Sequence, residues 1–511
     1  MDFTNKKLAL LESNDFADIY SGLAHNFYAV KEKVFSEKEL AFATILEGLI
    51  QRKGSFSELN NTPDIPKNFV DSFRDEVVSA IEINGLVERL PSRKDFVSLL
   101  DPFTKLVVNV PFIKDKLLFC ERVLHNSIGL KQLSFFSLDD DLEELMINSL
   151  DSIFVFHKRF GMCKISLSLS QRVFESIIWR IAFSVNKKFD AEHPLLDARL
   201  PDGSRVNATV SDVSPKGNSL TIRKFATIPL TVLDLIENGT ISSEAASFLW
   251  LMVDGMNLFP QNIIVSGSTA SGKTTLLNIL SNFIRFSERI VTIEDTLELS
   301  LLDRSNWVAL EAKHAMDCEV SMDALLKNAL RMRPDRIVVG EVRGSEAITL
   351  FTAMDNGHSG LGTLHANDAR EAVVKLQERP FEVPSVMVPL VDLIVVMQRH
   401  YSKQFGIQRR VVQIAEVSRM ENKVLLANVY EFRPAEGKLL RTDVPSHVIE
   451  DLAEKTTVSK NDLKKEMETR RMILEWMLEK GIRKPHEVLE VIQSYYYNPD
   501  KVTSMVFESA K

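Results

Sequence analysis

A segment of eight residues, 267–274, places the strongest constraint on the fold of this chain. It runs Gly-Ser-Thr-Ala-Ser-Gly-Lys-Thr and fits the pattern G-x-x-x-x-G-K-[ST]. An apolar run at 262–266 precedes it, and a helical pattern at 275–283 follows it. Glycines let the backbone bend until successive N–H groups converge on phosphate oxygens at a helix N-terminus. The segment therefore predicts a phosphate-binding loop between a strand and a helix, and a glycine-rich surface turn is the less favoured alternative.

Two side chains of this loop have predicted contacts with a bound nucleotide. Lys273 is expected to span the β- and γ-phosphates, and the Thr274 hydroxyl is expected to bind Mg²⁺ directly. The predicted ligands are therefore ATP and Mg²⁺. The predicted nucleotide-binding residues of the loop and of the following helix are Gly267, Ser268, Thr269, Ala270, Ser271, Gly272, Lys273, Thr274 and Thr275.

Apolar, strand-like segments alternate with helical segments around the loop. The predicted strands lie at residues 262–266, 290–293, 336–340 and 393–397. Such alternation is typical of a parallel sheet that is covered by helices on both faces. The C-terminal region is again helical at 458–493. This half of the chain is therefore predicted to be an α/β nucleotide-binding domain with C-terminal helices.

The first part of the chain has a different pattern. Residues 5–93 carry apolar side chains at helical spacing, whereas residues 101–225 contain short β-rich runs on both sides of a helical segment at 171–185. Pro229 favours a break after this region. The predicted organisation is a helical module at 1–98, an α+β domain at 99–225, a linker at 226–234 and the α/β domain at 235–511.

Carboxylates follow two of the predicted strands. Glu294 and Asp295 come directly after residues 290–293, and Glu341 comes directly after residues 336–340. Ligands of open α/β sheets bind at the carboxyl ends of the strands, so these side chains are expected beside the loop. Phosphoryl transfer to water requires a carboxylate that orients the water molecule or accepts its proton. Glu341 is the first candidate for this catalytic role, and Glu294 is the second.

Gly340 occupies a position where a strand of this kind usually carries the aspartate that serves Mg²⁺. Glu294 and Asp295 are therefore the predicted additional ligands of Mg²⁺, directly or through water. A single acidic residue after a strand more often caps a helix than takes part in catalysis. Two such positions downstream of a phosphate-binding loop favour the catalytic interpretation.

Two histidines lie in a glycine-rich segment at 357–366. An imidazole near a γ-phosphate can respond to it by hydrogen bonding or by charge. His365 and His358 are therefore predicted to contact the bound nucleotide. For either residue taken alone, a structural role is the alternative. Zinc binding is not supported, because the pair has no further evident ligands in the sequence.

Composition narrows the classes of protein that are compatible with this chain. The net charge of −8 argues against a general electrostatic affinity for nucleic acid, and no stable nucleic-acid partner is expected. The three cysteines contain no CxxC pair, which favours a reducing compartment. The first residues lack the apolar segment of a secretory signal. We therefore expect a cytoplasmic protein that reaches the inner face of the membrane through protein partners.

Together, these segments resemble the ATPases of type II secretion, type IV pili and archaeal surface filaments. Four motifs occur in the order of that family: the loop at 267–274, the acidic segment 291–295, the strand and glutamate at 330–343, and the histidine segment around His358 and His365. The N-terminal helices, Trp307 and the tyrosines at 495–497 are most similar to the archaellum motor ATPase.

The resemblance implies a homohexamer with a RecA-like P-loop NTPase domain and a mobile N-terminal domain. It also implies that Arg205 and Arg223 reach the nucleotide and complete the catalytic site, whereas Arg331, Arg333 and Arg343 are weaker candidates. The implied partners are a polytopic membrane platform protein and accessory cytoplasmic motor components. The implied function is ATP hydrolysis that drives assembly or rotation of an archaellum.

Three alternatives stay open at this point. Closely related ATPases drive pilus assembly or protein secretion and share the same four motifs. A RecA-like translocase of nucleic acid belongs to a different class, which the acidic net charge disfavours. A scaffold that binds ATP without hydrolysing it is disfavoured by the two carboxylate-bearing strand ends.

Overall fold

The computed structural model describes residues 10–14, 17–22, 25–31, 35–60, 62, 64–66, 68–87, 90–165, 167–225, 229–313, 319–402, 406–420 and 423–508. It divides the chain into two compact units, Met1–Phe225 and Ala226–Lys511. Each unit contains a nine-stranded sheet. The fold is mixed α/β, as predicted. In the part of the chain that the structure describes, no helix has both the length and the apolar character needed to cross a bilayer.

The sheet of the first unit has the order β1-β2-β3-β6-β5-β4-β9-β8-β7. Its neighbouring strands are antiparallel, except that β3 and β6 are parallel. Its strands are β1 (Leu10–Ser13), β2 (Ala17–Tyr20), β3 (Asn26–Val30), β4 (Leu142–Ser149), β5 (Ser152–His157), β6 (Gly161–Ile165), β7 (Leu195–Arg199), β8 (Arg205–Thr209) and β9 (Ser219–Arg223). Alternate residues of these strands are buried, so one face of the sheet forms a core.

The helices between β3 and β4 form a second core in this unit. They are α1 (Glu37–Ile50), α2 (Phe56–Asn60), α3 (Phe69–Ser72), a π-helical turn (Phe73–Val78), α4 (Ser79–Ile83), α5 (Arg93–Val107) and α6 (Lys116–Ser127), whereas α7 (Ser134–Leu138) packs on the sheet. Ser36 and Ser92 begin α1 and α5 with reciprocal capping boxes. Buried phenylalanine rings fill the core, and Phe42 stacks on Phe119 at 5.7 Å between ring centroids. The helix α8 (Gln171–Ser184) packs on the sheet instead.

The prediction of a helical module at residues 1–98 is wrong in two respects. Residues 10–30 form the strands β1 to β3, because burial there follows a period of two at Ala17 and Ile19. Leu10 and Leu11, which suggested a helix, are 56% and 42% exposed. The boundary after residue 98 falls inside α5, whose side chains share a core with α1 and α6.

The sheet of the second unit has the order β12-β11-β13-β14-β10-β15-β16-β17-β18. Its strands are β10 (Ile263–Gly267), β11 (Ile290–Glu294), β12 (Trp307–Glu311), β13 (Arg336–Val339), β14 (Ser359–Leu364), β15 (Leu393–Ser402), β16 (Gly406–Met420), β17 (Lys423–Arg433) and β18 (Lys438–Arg441). In this order, the neighbouring strands from β12 across to β15 run parallel to one another, which confirms the predicted parallel sheet. The strands β16 to β18 extend it antiparallel, which the sequence analysis missed.

Helices cover both faces of the parallel strands, whose residues are almost completely buried. They are α9 (Val232–Glu237), α10 (Ser243–Asp254), α11 (Lys273–Asn282), α12 (Met322–Ala329), α13 (Glu346–Asp355), α14 (Ala369–Gln377), α15 (His447–Thr456), α16 (Lys460–Glu479), α17 (Pro485–Tyr497) and α18 (Pro499–Glu508). One core joins α10, α11 and the C-terminal helices, and the other joins α12, α13 and α14.

The predicted linker at 226–234 is described only in part. Residues 226–228 of this linker lie outside the described residues. The helix α9 already begins within the predicted linker, and Thr231 forms a capping box with Asp234 at its start.

The C-terminal helices hold the far end of α11, the helix that follows the loop. The Gln493 side-chain amide donates to the Ile284 carbonyl at 2.9 Å, and the Tyr496 hydroxyl donates to the Phe283 carbonyl at 2.5 Å. Both carbonyl groups lie directly after the last residue of α11, and the Gln493 amide also donates to the carbonyl of that last residue, Asn282, at 3.3 Å. The position of α11, and therefore of the loop, depends on α17.

Candidate functional site

The loop at 267–274 joins β10 to α11, as the sequence predicts. Gly267 has no room for a side chain, and Gly272 has a backbone conformation that favours glycine. A Cβ atom added to Gly267 would lie 2.3 Å from the Met397 carbonyl oxygen, and Gly272 has a φ of +98°. The helix N-terminus at Lys273 directs backbone N–H groups and the positive end of the helix dipole toward the interior of the loop. This geometry is suited to a phosphate group.

Lys273 lies inside the loop and is only 7% exposed. Its Nζ atom donates to the Ser268 carbonyl at 3.0 Å and lies 3.2 Å from Nδ1 of His365. Burial lowers the pKa of Lys273, and the nearby Glu341 carboxylate opposes that shift. A cation is thereby held where the bound phosphates are expected.

A continuous series of polar contacts leads from Lys273 across the carboxyl edge of the sheet. His365 Nε2 lies 2.7 Å from Glu341 Oε1, and Arg343 donates to Glu341 Oε2 at 2.6 Å. The same guanidinium donates to Asp295 Oδ2 at 2.9 Å. These residues follow β14, β13 and β11, so the structure brings the predicted Lys273, His365, Glu341 and Asp295 together.

The partners of His365 indicate its tautomer. Lys273 can only donate, so Nδ1 accepts from it, and the proton of the neutral ring lies on Nε2, which is 2.7 Å from Oε1 of Glu341. Burial lowers the pKa of His365 below its ordinary value of 6.5, and the positive charge of Lys273 lowers it further, whereas Glu341 opposes the shift. His365 is therefore neutral at pH 7.

This protonation state predicts an acid limb in the pH profile of ATP hydrolysis. Below pH 6.5, as pH falls through the lowered pKa, an imidazolium forms beside Lys273 and can no longer accept its hydrogen bond. We expect the rate to fall by about tenfold per pH unit in that range. The His365→Asn variant should lose this limb, and His358→Asn should keep it. A limb that persists unchanged in His365→Asn would contradict the assignment.

Glu294 has a structural role that the sequence did not suggest. It is 2% exposed, and its Oε2 atom accepts the backbone N–H groups of Glu298 at 2.7 Å and Leu299 at 3.0 Å. It therefore fixes the segment that follows β11. The Glu341 side chain is 18% exposed and lies on the network that reaches Lys273, so Glu341 is better placed than Glu294 for the activation of water.

The same packing explains why residue 340 is glycine. A Cβ atom added to Gly340 would lie 2.8 Å from Cγ of Glu294, a distance that requires displacement of one of the two residues. An aspartate at residue 340 would therefore collide with Glu294 in this arrangement.

We expect Gly340→Ala to lower the free energy of unfolding by about 1–3 kcal/mol, because an added methyl group overpacks the site. The measurement is equilibrium unfolding in urea. Gly344→Ala is the matched control, since its nearest neighbour would be a side-chain oxygen of Glu346 at 3.3 Å. Equal stability of Gly340→Ala and the wild type would show that Glu294 moves at no cost.

His358 was predicted to contact the nucleotide, and this prediction is wrong for a nucleotide bound in the loop of the same chain. His358 precedes β14 and His365 follows it, and β14 runs parallel to β10. A strand of six residues separates the two histidines by about 20 Å. His358 lies at the amino edge of the sheet, where its Nδ1 atom is 3.2 Å from the Ala353 carbonyl oxygen.

The predicted magnesium ligands are partly compatible with that role. Thr274 lies in the first turn of α11, and its hydroxyl is a hard oxygen donor of the kind that Mg²⁺ prefers. Asp295 is partly exposed at the carboxyl edge, where its Oδ2 atom accepts from Arg343 at 2.9 Å. Glu294 fits less well, because its Oε2 atom accepts from two backbone N–H groups. Thr274 therefore fits the predicted magnesium site, and the role of Asp295 stays a prediction.

Arg205 and Arg223 belong to the first unit. They lie directly opposite each other on β8 and β9, and Arg223 is exposed. Their predicted contact with the nucleotide stays a prediction.

The sequence analysis gave Arg343 only as a weaker candidate, but the structure places it within the site. It joins Glu341 to Asp295, and the neighbouring charges raise its pKa, the hydrogen bond to Glu341 most strongly. Its place two residues after Glu341 was the available signal. Thr363 was missed altogether, and its hydroxyl donates to the Gly340 carbonyl at 2.7 Å. Nothing in the local sequence predicts that contact.

Known proteins resemble this chain over most of its length. Residues 136–478 match the family described as Type II/IV secretion system protein. The uncharacterized protein MJ0900 of Methanocaldococcus jannaschii is 30% identical over 473 residues, which is 90% of this chain and 83% of that protein. The uncharacterized protein MJ0781 of the same organism is 51% identical over 227 residues, which is 43% of this chain but only 32% of the longer relative.

The chain is also similar in sequence to a protein of known structure. The VirB11 ATPase from the Brucella suis type IV secretion system is 26% identical, and the alignment covers 56% of this chain and 92% of that one with a TM-score of 0.29. The family match spans more than half of the chain and contains the loop, both carboxylate-bearing strand ends and His365. The chain therefore belongs to the superfamily of type II/IV secretion system ATPases.

Proposed function

We propose that this protein binds Mg-ATP at the loop 267–274 and hydrolyses it to ADP and phosphate. The observation that supports this most strongly is the series of contacts from Lys273 through His365 to Glu341, at the carboxyl edge of the sheet. It places a cation for the phosphates and a carboxylate for water on one polar network.

The residues have separate roles in the proposed reaction. Backbone N–H groups of the loop and Lys273 bind the phosphates. Glu341 orients the attacking water and accepts its proton, and Arg343 and His365 hold the two carboxylate oxygens in place. Bound Mg²⁺ would supply charge stabilisation to the β- and γ-phosphate oxygens. Arg205 and Arg223 are proposed to supply further positive charge.

We propose further that hydrolysis drives an archaeal surface filament, with the archaellum as the first candidate. The protein would act as a homohexamer at the inner face of the membrane, together with a polytopic platform protein and accessory cytoplasmic components. Two relatives from Methanocaldococcus jannaschii support an archaeal setting. Pilus assembly or secretion is the alternative, and the match of residues 136–478 to the family described as Type II/IV secretion system protein supports it.

The test is steady-state phosphate release by the purified full-length protein, with Mg²⁺ and with EDTA. We expect release that requires Mg²⁺ and that increases with vesicles of anionic lipid. Stimulation by DNA instead of lipid would favour a nucleic-acid translocase. Nucleotide binding without any release of phosphate would favour the scaffold and contradict the proposal.

A further inference from the structure

The hairpin of β15 and β16 extends beyond the carboxyl edge of the sheet, next to the loop. The last residue of β10, Gly267, pairs with Met397. From there, β15 continues in register with β16, from Gln398 opposite Arg410 to Ser402 opposite Gly406. This part of the hairpin lies past the strand that carries the loop.

One face of the hairpin is turned toward the loop. Met397 and Val411 are opposite each other, and Arg399 and Arg409 are the next opposite pair on the same face. A Cβ atom built on Gly272 would lie 3.3 Å from Cε of Met397 and 3.4 Å from Cδ of Arg409. This face therefore lies against the C-terminal end of the loop.

Arg409 is also bonded to the loop itself. Its Nε atom donates to the Ala270 carbonyl at 3.1 Å. Ala270 has a φ of +59°, a conformation that costs energy for a residue with a side chain. The hydrogen bond holds both the guanidinium and this turn of the loop in place.

Arg399 and Arg409 therefore place two guanidinium groups on the face of the hairpin that is turned toward the loop. Guanidinium groups bind phosphate oxygens in planar, charge-assisted geometry. Two of them beside a phosphate-binding loop are suited to a phosphate of the bound nucleotide.

Strand order indicates which phosphate this is. In the sheet, β14, β13 and β11 lie on one side of β10, and β15 and β16 lie on the other. Glu341, His365 and Arg343, which act on the γ-phosphate in the proposed reaction, all follow strands of the first side. The part of the nucleotide that does not react must leave the loop toward the opposite side, where the arginines are.

We propose that Arg399 and Arg409 bind the α-phosphate of the nucleotide and so recognise ATP and ADP alike. This inference rests on the proposed nucleotide site, but it does not require hydrolysis. The two arginines act in binding, and they leave the reaction at the γ-phosphate unchanged.

Arg410 provides a matched control on the same strand. It points to the opposite face, where it donates to the Gly437 carbonyl at 2.7 Å and lies 5.1 Å from the centre of the Phe432 ring. Its substitution removes the same charge from the same hairpin without touching the face of the loop.

The experiment compares Arg399→Gln, Arg409→Gln and Arg410→Gln in the full-length protein by calorimetric titration with ADP and with a non-hydrolysable ATP analogue. We expect each of the first two variants to lose about 10–100-fold in affinity, by the same factor for both nucleotides. Arg410→Gln should bind like the wild type.

A second measurement separates binding from a structural role. In the nucleotide-free protein, the thermal midpoint of Arg399→Gln should equal that of the wild type, whereas the increase of the midpoint on addition of ADP should be smaller. Unchanged ADP affinity, a loss confined to the ATP analogue, or an equal loss in Arg410→Gln would overturn the inference. A wild type that binds ADP without hydrolysing ATP would contradict the proposed function and leave this inference standing.

Discussion

Replacing Glu341 with glutamine is expected to lower steady-state phosphate release by about 10²–10⁴-fold while Mg-ATP affinity stays within twofold of the wild type. The amide keeps the size of the side chain and one oxygen for Arg343, so the site retains its shape. It cannot accept the proton of the attacking water. The loss therefore falls on the turnover number and not on binding.

The measurement pairs a phosphate-release assay with calorimetric titration of a non-hydrolysable ATP analogue. Glu371→Gln is the matched control, because Glu371 lies on α14 soon after His365 but contacts Lys375 and Asn367 instead of the network. Its activity should equal that of the wild type. Equal rates of hydrolysis by Glu341→Gln and the wild type would exclude Glu341 from the catalytic role and make Glu294 the next candidate.

Replacing Asp254 with alanine is expected to lower the free energy of unfolding by about 3–5 kcal/mol. Asp254 is completely buried at the end of α10 and accepts from Arg470 at 2.9 Å and from Arg285 at 2.7 Å. Burial disfavours the charge on Arg470, but Asp254 and Glu466 raise the pKa of that guanidinium above its ordinary value. Without Asp254, the charge of Arg470 stays buried with much of its compensation removed.

Urea unfolding followed by tryptophan fluorescence measures this loss, because the guanidinium of Arg470 lies 5.2 Å from the centre of the Trp250 ring. The control is Glu487→Gln, which breaks an exposed pair with Lys484. Such a pair contributes about 0–1 kcal/mol. If both variants unfold at the same urea concentration, the buried pair does not hold the C-terminal helices to the core.

The parts of this fold that local sequence specifies were predictable. The loop depends on the strand before it and the helix after it, and each carboxylate follows directly on its own strand. The structure has the loop, the parallel strands and these carboxylates at the predicted positions. Lys273 and Glu341 meet through His365 because parallel strands end at a common edge. The sequence therefore predicted that these side chains lie together, and their catalytic roles stay predictions.

The errors have a common physical origin in contacts between distant segments. The strands β1 to β3 form because β3 pairs with β6, more than a hundred residues later. Whether His358 or His365 faces the loop depends on where β14 begins and ends, which their shared glycine-rich segment does not show. Gly340 is explained only by the packing of Glu294, and Arg409 only by the register of β15 and β16.

The most direct test of the proposed site is a structure of the protein with Mg²⁺ and a non-hydrolysable ATP analogue. We predict that its phosphates lie within the loop 267–274, with Lys273 on the β- and γ-phosphates and a water molecule between Glu341 and the γ-phosphate. A triphosphate bound elsewhere on the chain, or a γ-phosphate directed away from Glu341, would contradict the account.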